Sequence, residues 1–182
     1  MSENKARSVA NTQDHGVLDI SSLILLAILL AAGTILNMTV GNALAMVGIK
    51  PQFIIAAYSL AIILTKARFS QAAVYGLISA AVIQLSTSIP GLNFVTELAG
   101  ALCVCALVRA LSSTKSSSIA PLIAAFVGTL VSGALFACAG TLIMGAALAT
   151  AVVKIPLVLG TAVFNAVVVQ ALSVPLSKVL SR

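Results

Sequence analysis

Six continuous apolar runs separated by short polar breaks occupy the chain from Ile20 to Leu176. They read as Ile20 to Leu36, Pro51 to Leu64, Gln71 to Leu85, Phe94 to Leu111, Pro121 to Leu142 and Ala151 to Leu176. A helix needs about 17 to 25 mostly apolar residues to cross the hydrocarbon of a bilayer. Unbroken apolarity, in place of alternation, predicts helices over a membrane β-barrel. Two of the runs fall below the lower limit and have to borrow neighbouring polar residues or sit in a thinned bilayer. The expectation is an all-α integral membrane protein, a six-transmembrane-helix bundle forming one domain over residues 20–182. Residues 1–19 are polar and mixed in charge, which predicts a short cytoplasmic tail without a signal peptide.

Composition agrees, at 60% hydrophobic, 8% charged and a mean hydropathy of +1.17. A soluble domain carries about 25% charged residues. The net charge of +6 comes without basic runs or an aromatic stripe, so nucleic acid is not an expected partner. The basic residues serve as topology signals instead. With the amino terminus inside, Lys5, Arg7, Lys66, Arg68, Arg109, Lys115, Lys178 and Arg182 fall on the cytoplasmic face, and only Lys50 and Lys154 on the other. That split satisfies the positive-inside rule and places both termini in the cytoplasm.

Cys103, Cys105 and Cys138 lie within apolar runs and read as small packing residues, and no metal or cofactor site is expected. No phosphate-binding loop of the Gly-x-x-x-x-Gly-Lys-Ser/Thr type occurs, which excludes ATP hydrolysis by that route. One histidine, His15 in the tail, and one acid within the bundle leave no acid–base pair or nucleophile triad, so an enzyme is not expected.

Past Asp19 the single acidic residue is Glu97. An ionisable group within a span costs about 2.5–3.5 kcal/mol at mid-bilayer, so such groups tend to be paired or functional. Helical counting puts Glu97 toward the outer surface with Lys50 and Lys154, among amides and hydroxyls that include Asn37, Asn42, Gln52, Ser86, Thr87, Ser88 and Asn93. Such a set suits a zwitterion, Lys for a carboxylate and Glu for an ammonium. The bland alternatives are lysines that snorkel to headgroups and a glutamate that complements its helix dipole. Phe53, Tyr58 and Phe94 offer aromatic surface. Asn165, inside the last run, faces either a cavity or another helix, because an unpaired amide is expensive in hydrocarbon. The segment from Asn37 to Lys50 is either a lid over the outer mouth or a kinked continuation of the first helix. Ala27 and Ala31 form a small-xxx-small pair that lets another helix approach closely.

The stretches Gly48-Ile49-Lys50-Pro51-Gln52-Phe53, Ala80 to Gly91 and Gly128-Thr129-Leu130-Val131-Ser132-Gly133 resemble the pattern of the bacterial tryptophan-transporter family TrpP, over roughly residues 22–180. More broadly the architecture resembles the substrate-binding S components of energy-coupling-factor transporters. These resemblances imply a multi-pass protein of the bacterial cytoplasmic membrane that binds a small molecule. They also imply docking through the Ala27 and Ala31 surface to a coupling subunit that joins two ATPases. The expected substrate is tryptophan or a related aromatic compound, with Lys50, Glu97 and Asn165 as first candidates and Phe53, Asn93 and Lys154 beside them. The alternatives are an S component for a vitamin and a membrane scaffold without ligand.

Overall fold

The computed structural model describes residues 19–46, 51–112 and 117–180. All the regular structure among them is helical, and each apolar run forms a helix. Helix α1 (Ile20–Leu36) starts at Asp19, whose carboxylate accepts from Ser22 N at 3.3 Å and Ser22 Oγ at 3.2 Å. The chain then keeps turning through a wider π-helical stretch, Asn37–Gly41, into the single turn α2 (Asn42–Ala45). The first helix therefore continues past Asn37, as one of the two sequence readings had it, while residues 47–50 lie outside the described residues. Helices α3 (Phe53–Thr65), α4 (Phe69–Ile83), α5 (Leu92–Leu111) and α6 (Ala120–Ile143) follow. A short α7 (Ala149–Val153) breaks the last run before α8 (Ile155–Leu180).

Among the described residues, four helices are long and apolar enough to cross a membrane: Ile20–Ala45, Leu92–Leu111, Ser117–Ile143 and Ile155–Leu180. Helices α3 and α4 are apolar but shorter. The reason α3 is tolerated short is its position. It packs on α1, α4, α5, α6 and α8, and ten of its 13 residues are buried, so protein surrounds it on all sides. A helix apolar all round belongs in such a place. The outer helices instead present Ile24, Ile28, Ile35, Leu135, Val163 and Val167 outward, an apolar exterior suited to lipid.

Glycine sets how closely the helices approach around α5. A Cβ on Gly100 would stand 2.6 Å from the Tyr58 hydroxyl and 3.1 Å from Ser132 Cβ, and one on Gly128 would overlap Val104 Cγ2. Where apolar burial does not distinguish protein from lipid, close van der Waals packing of this kind holds helices together. Gly100→Ala is expected to lower stability by about 1–3 kcal/mol, the usual cost of overpacking. A detergent melting curve checks this, and an unchanged midpoint would mean the interface has slack. Cysteines behave as packing groups in part: Cys105 is buried with Sγ donating to Ala67 O at 3.4 Å, Cys103 is half-buried, and Cys138 faces outward.

Candidate functional site

A cavity of about 400 Å³ opens within the bundle. Its walls come from the π-helical stretch and α2 (Asn37, Met38, Asn42), the start of α3 (Gln52, Ile55), the end of α4 and the following turn (Ile83, Ser86, Thr87, Ser88), α5, α6 and the α7–α8 junction. The size suits a small organic ligand.

Glu97 is the acidic group among the described lining residues. It lies in the second turn of α5, is 4% exposed, and faces the cavity. Its Oε1 accepts from Ser132 Oγ of α6 at 2.9 Å, whereas Oε2 has no hydrogen-bond partner. The Tyr58 hydroxyl of α3 lies close enough to interact with the carboxyl electrostatically, although it completes no hydrogen bond. Glu97 is held in place by its position on α5: Gly76 lets α4 approach its backbone, where a Cβ would come within 2.9 Å of Glu97 O.

Asn93 sits one turn earlier on α5, is 3% exposed, lines the cavity and has an unpartnered Nδ2. Lys154 also lines the cavity, at the junction of α7 and α8, with Nζ donating to Thr141 Oγ1 at 3.3 Å. Thr141 is in the last turn of α6, so Lys154 stands nearer the end of the bundle than Glu97, whose partner Ser132 is in the middle of that helix.

The sequence expectations thus divide. Glu97, Asn93 and Lys154 meet at one cavity. Asn165 stands behind its wall: fully buried, its Nδ2 donates to Gln52 O at 3.2 Å and to Thr129 Oγ1 at 3.3 Å, the interhelical alternative. Phe53 is buried edge-on against Phe164, with centroids 5.5 Å apart, and is not part of the lining. Lys50 falls outside the described residues, although its neighbour Gln52 lines the cavity. Ala27 and Ala31 are exposed on α1.

Sequence reasoning missed Thr129, Ser132, Gly133 and Phe136, which α6 contributes to the wall, and Leu157, Val158 and Thr161 from α8. A signal was available. Thr129, Ser132 and Phe136 recur at spacings of three and four inside an apolar run, which puts two hydroxyls and a ring on one helical face. Among the described residues no group of three or more His, Cys, Asp or Glu side chains could hold a metal.

The cavity lining therefore combines polar groups, Glu97, Asn93 and the Ser86–Ser88 turn among them, with the apolar Phe136, Ala137, Leu157 and Val158. No match was found among curated proteins or solved structures. The family model described as the tryptophan transporter TrpP matches residues 19–181, nearly the whole chain. This chain belongs to the TrpP family of tryptophan transporters and is a membrane transport protein.

Proposed function

We propose that the chain is the substrate-binding subunit for uptake of tryptophan across the bacterial cytoplasmic membrane, and that the cavity beside Glu97 is its binding site. The observation that carries the reading is the buried carboxyl with one unpartnered oxygen on the wall of an amphipathic cavity, in a chain of this family. A buried charge without a partner is costly, and a cationic ligand group offsets that cost. Tryptophan offers an ammonium for Glu97 and a large ring for the apolar side.

The six helices cross the membrane with both termini in the cytoplasm, the two short ones inside the bundle or in locally thinned lipid. Charge placement supports this orientation. Lys66 and Arg68 join α3 to α4, and Arg109 and Lys178 lie in the last turns of α5 and α8. Arg109 stacks over Phe69, 5.7 Å from the ring centroid, so the end of α5 meets the start of α4. The cavity opens toward the opposite, outer end. Lys66→Cys in a cysteine-free background is expected to react with a membrane-impermeant maleimide from the cytoplasmic side only. Labelling on intact cells would invert the topology.

The exposed Ala27 and Ala31 on α1 support docking to a coupling subunit with two ATPases, as S components do. Uptake tests the function. Expression in a tryptophan auxotroph lacking its own tryptophan carriers is expected to restore growth on low external tryptophan, either alone or with a coupling module. Failure under both conditions, with the protein present in the membrane, would contradict the reading. Competition by a vitamin but not by tryptophan would turn the same site to the vitamin alternative.

A further inference from the structure

Two unpartnered polar atoms one helical turn apart mark the cavity wall. Asn93 and Glu97 are four residues apart on α5, so they share a face with Cβ atoms about 5–6 Å apart. Both side chains are more than nine-tenths buried and both line the cavity. One presents an unused donor, Nδ2, and the other an unused acceptor, Oε2. A ligand that satisfies both has to carry an acceptor and a donor at matching separation.

The head of an α-amino acid has that form. Its nitrogen and carboxyl carbon are two bonds apart, about 2.5 Å. A hydrogen bond of about 2.8 Å at each end extends this reach to the one-turn spacing. The direction is fixed by charge: the ammonium pairs with Glu97, and the carboxylate, which Glu97 repels, goes to Asn93. Asn93 is also the second residue of α5, where the positive end of the helix dipole favours an anion. Lys154 stands at the same end of the bundle and adds a positive field there.

The ring then has a defined place. Ser132, which holds Glu97, is four residues from Phe136 on α6, so the two share a face one turn apart. Helices α5 and α6 run antiparallel: Ser132 meets Glu97, while a Cβ at Gly140 would stand 3.6 Å from Leu92 Cδ2. Phe136 therefore lies on the cavity wall at about the level of Asn93. Gly133 leaves its face free of side chain and lets Val158 close the apolar wall; a Cβ there would come within 2.8 Å of Val158 Cγ1.

Building on the tryptophan-binding reading above, we propose that Asn93 and Glu97 form a head-group reader for free α-amino acids, carboxylate on Asn93 and ammonium on Glu97, and that Phe136 sets the preference for a large ring. The site on this account rejects indole compounds that lack either charged group. It binds its substrate head toward α5 and ring toward α6 and α8.

Equilibrium binding to the full chain in detergent tests this with tryptophan, N-acetyltryptophan, tryptamine, 1-methyltryptophan and leucine. Wild-type protein is expected to bind N-acetyltryptophan and tryptamine at least about 10-fold more weakly than tryptophan, the scale of a lost charge-assisted hydrogen bond. Asn93→Leu is expected to weaken tryptophan by a similar factor while leaving tryptamine, which has no carboxylate, unchanged. Phe136→Ala is expected to abolish most of the preference for tryptophan over leucine. Equal loss of tryptophan and tryptamine in Asn93→Leu would reduce Asn93 to a structural role and overturn the assignment. Full affinity for N-acetyltryptophan with rejection of 1-methyltryptophan would overturn it in favour of the reverse orientation, ring N–H toward Glu97. In both of those cases tryptophan binding itself survives. Absence of saturable tryptophan binding by the wild type would overturn the binding reading and this inference together.

Discussion

Replacing Glu97 by glutamine is expected to weaken tryptophan binding about 10- to 150-fold, equivalent to about 1.5–3 kcal/mol for a hydrogen bond to a charged group. The fold should survive the change. Glutamine keeps the length of the side chain and an oxygen that accepts from Ser132 Oγ, now 2.9 Å from Glu97 Oε1. What it removes is the charge behind Oε2, the atom left without a partner. With its one oxygen on Ser132, the glutamine amide puts an NH2 donor where Oε2 stood, so it offers an ammonium neither an acceptor nor an ion pair. Binding to the purified variant, beside a gel-filtration profile that matches the wild type, checks both halves of this expectation. Unchanged affinity in a well-folded variant would remove Glu97 from the site.

Asn165→Asp is expected to have the larger effect on stability, and Asn165→Leu a smaller one. The Asn165 amide donates to a backbone carbonyl at Gln52 and to the Thr129 hydroxyl, and its own Oδ1 is unpartnered. A carboxylate in that place loses the donor and faces the Gln52 carbonyl oxygen with a charge in a fully buried position. On insertion scales an acid at mid-helix costs about 2.5–3.5 kcal/mol, and Lys154, the one basic residue among the described lining residues, stands at the α7–α8 junction. Leucine avoids the charge and loses the two hydrogen bonds, at about 1–2 kcal/mol in sum on the scale measured between membrane helices. The expected order of melting midpoints is wild type, then Asn165→Leu, then Asn165→Asp. Because Gln52 and Thr129 both line the cavity, weaker tryptophan binding should accompany the loss. Equal stability of the aspartate and leucine variants would show that water reaches this position.

The helices were legible because their signal is local. Each apolar run became a helix, with Asp19 a cap at the first and Pro121 within the first turn of α6. The breaks inside runs were less so. The sequence offered Asn37 to Gly41 as a kink in a continued first helix, beside a lid, but not as a wider π-helical turn, and Lys154 before Ile155-Pro156 marks a break between α7 and α8 that hydropathy alone passes over. The site was legible where chemistry is rare: Glu97 stands out as the one acid past Asp19, and Asn93 and Lys154 accompany it at the cavity. Asn165 and Phe53 were equally conspicuous as residue types, yet packing turns the first toward Thr129 and Gln52 and the second toward Phe164. Which of two buried neighbours a side chain meets is decided by how α8 rotates against α3 and α6, and no single run encodes that. Ser132 and Phe136 carried a weaker signal, a four-residue spacing that puts them on one face of α6. A serine and a phenylalanine in an apolar helix are ordinary until Glu97 is placed opposite them.

The measurement that tests the central claim most directly is equilibrium binding of labelled tryptophan to the purified chain, with Glu97→Gln assayed in parallel. The account predicts one saturable site in the wild type, displaced by unlabelled tryptophan, and a 10-fold or greater loss in the variant, about 1.4 kcal/mol or more. No saturable binding in a folded wild-type sample, or identical binding curves for the two proteins, would contradict it.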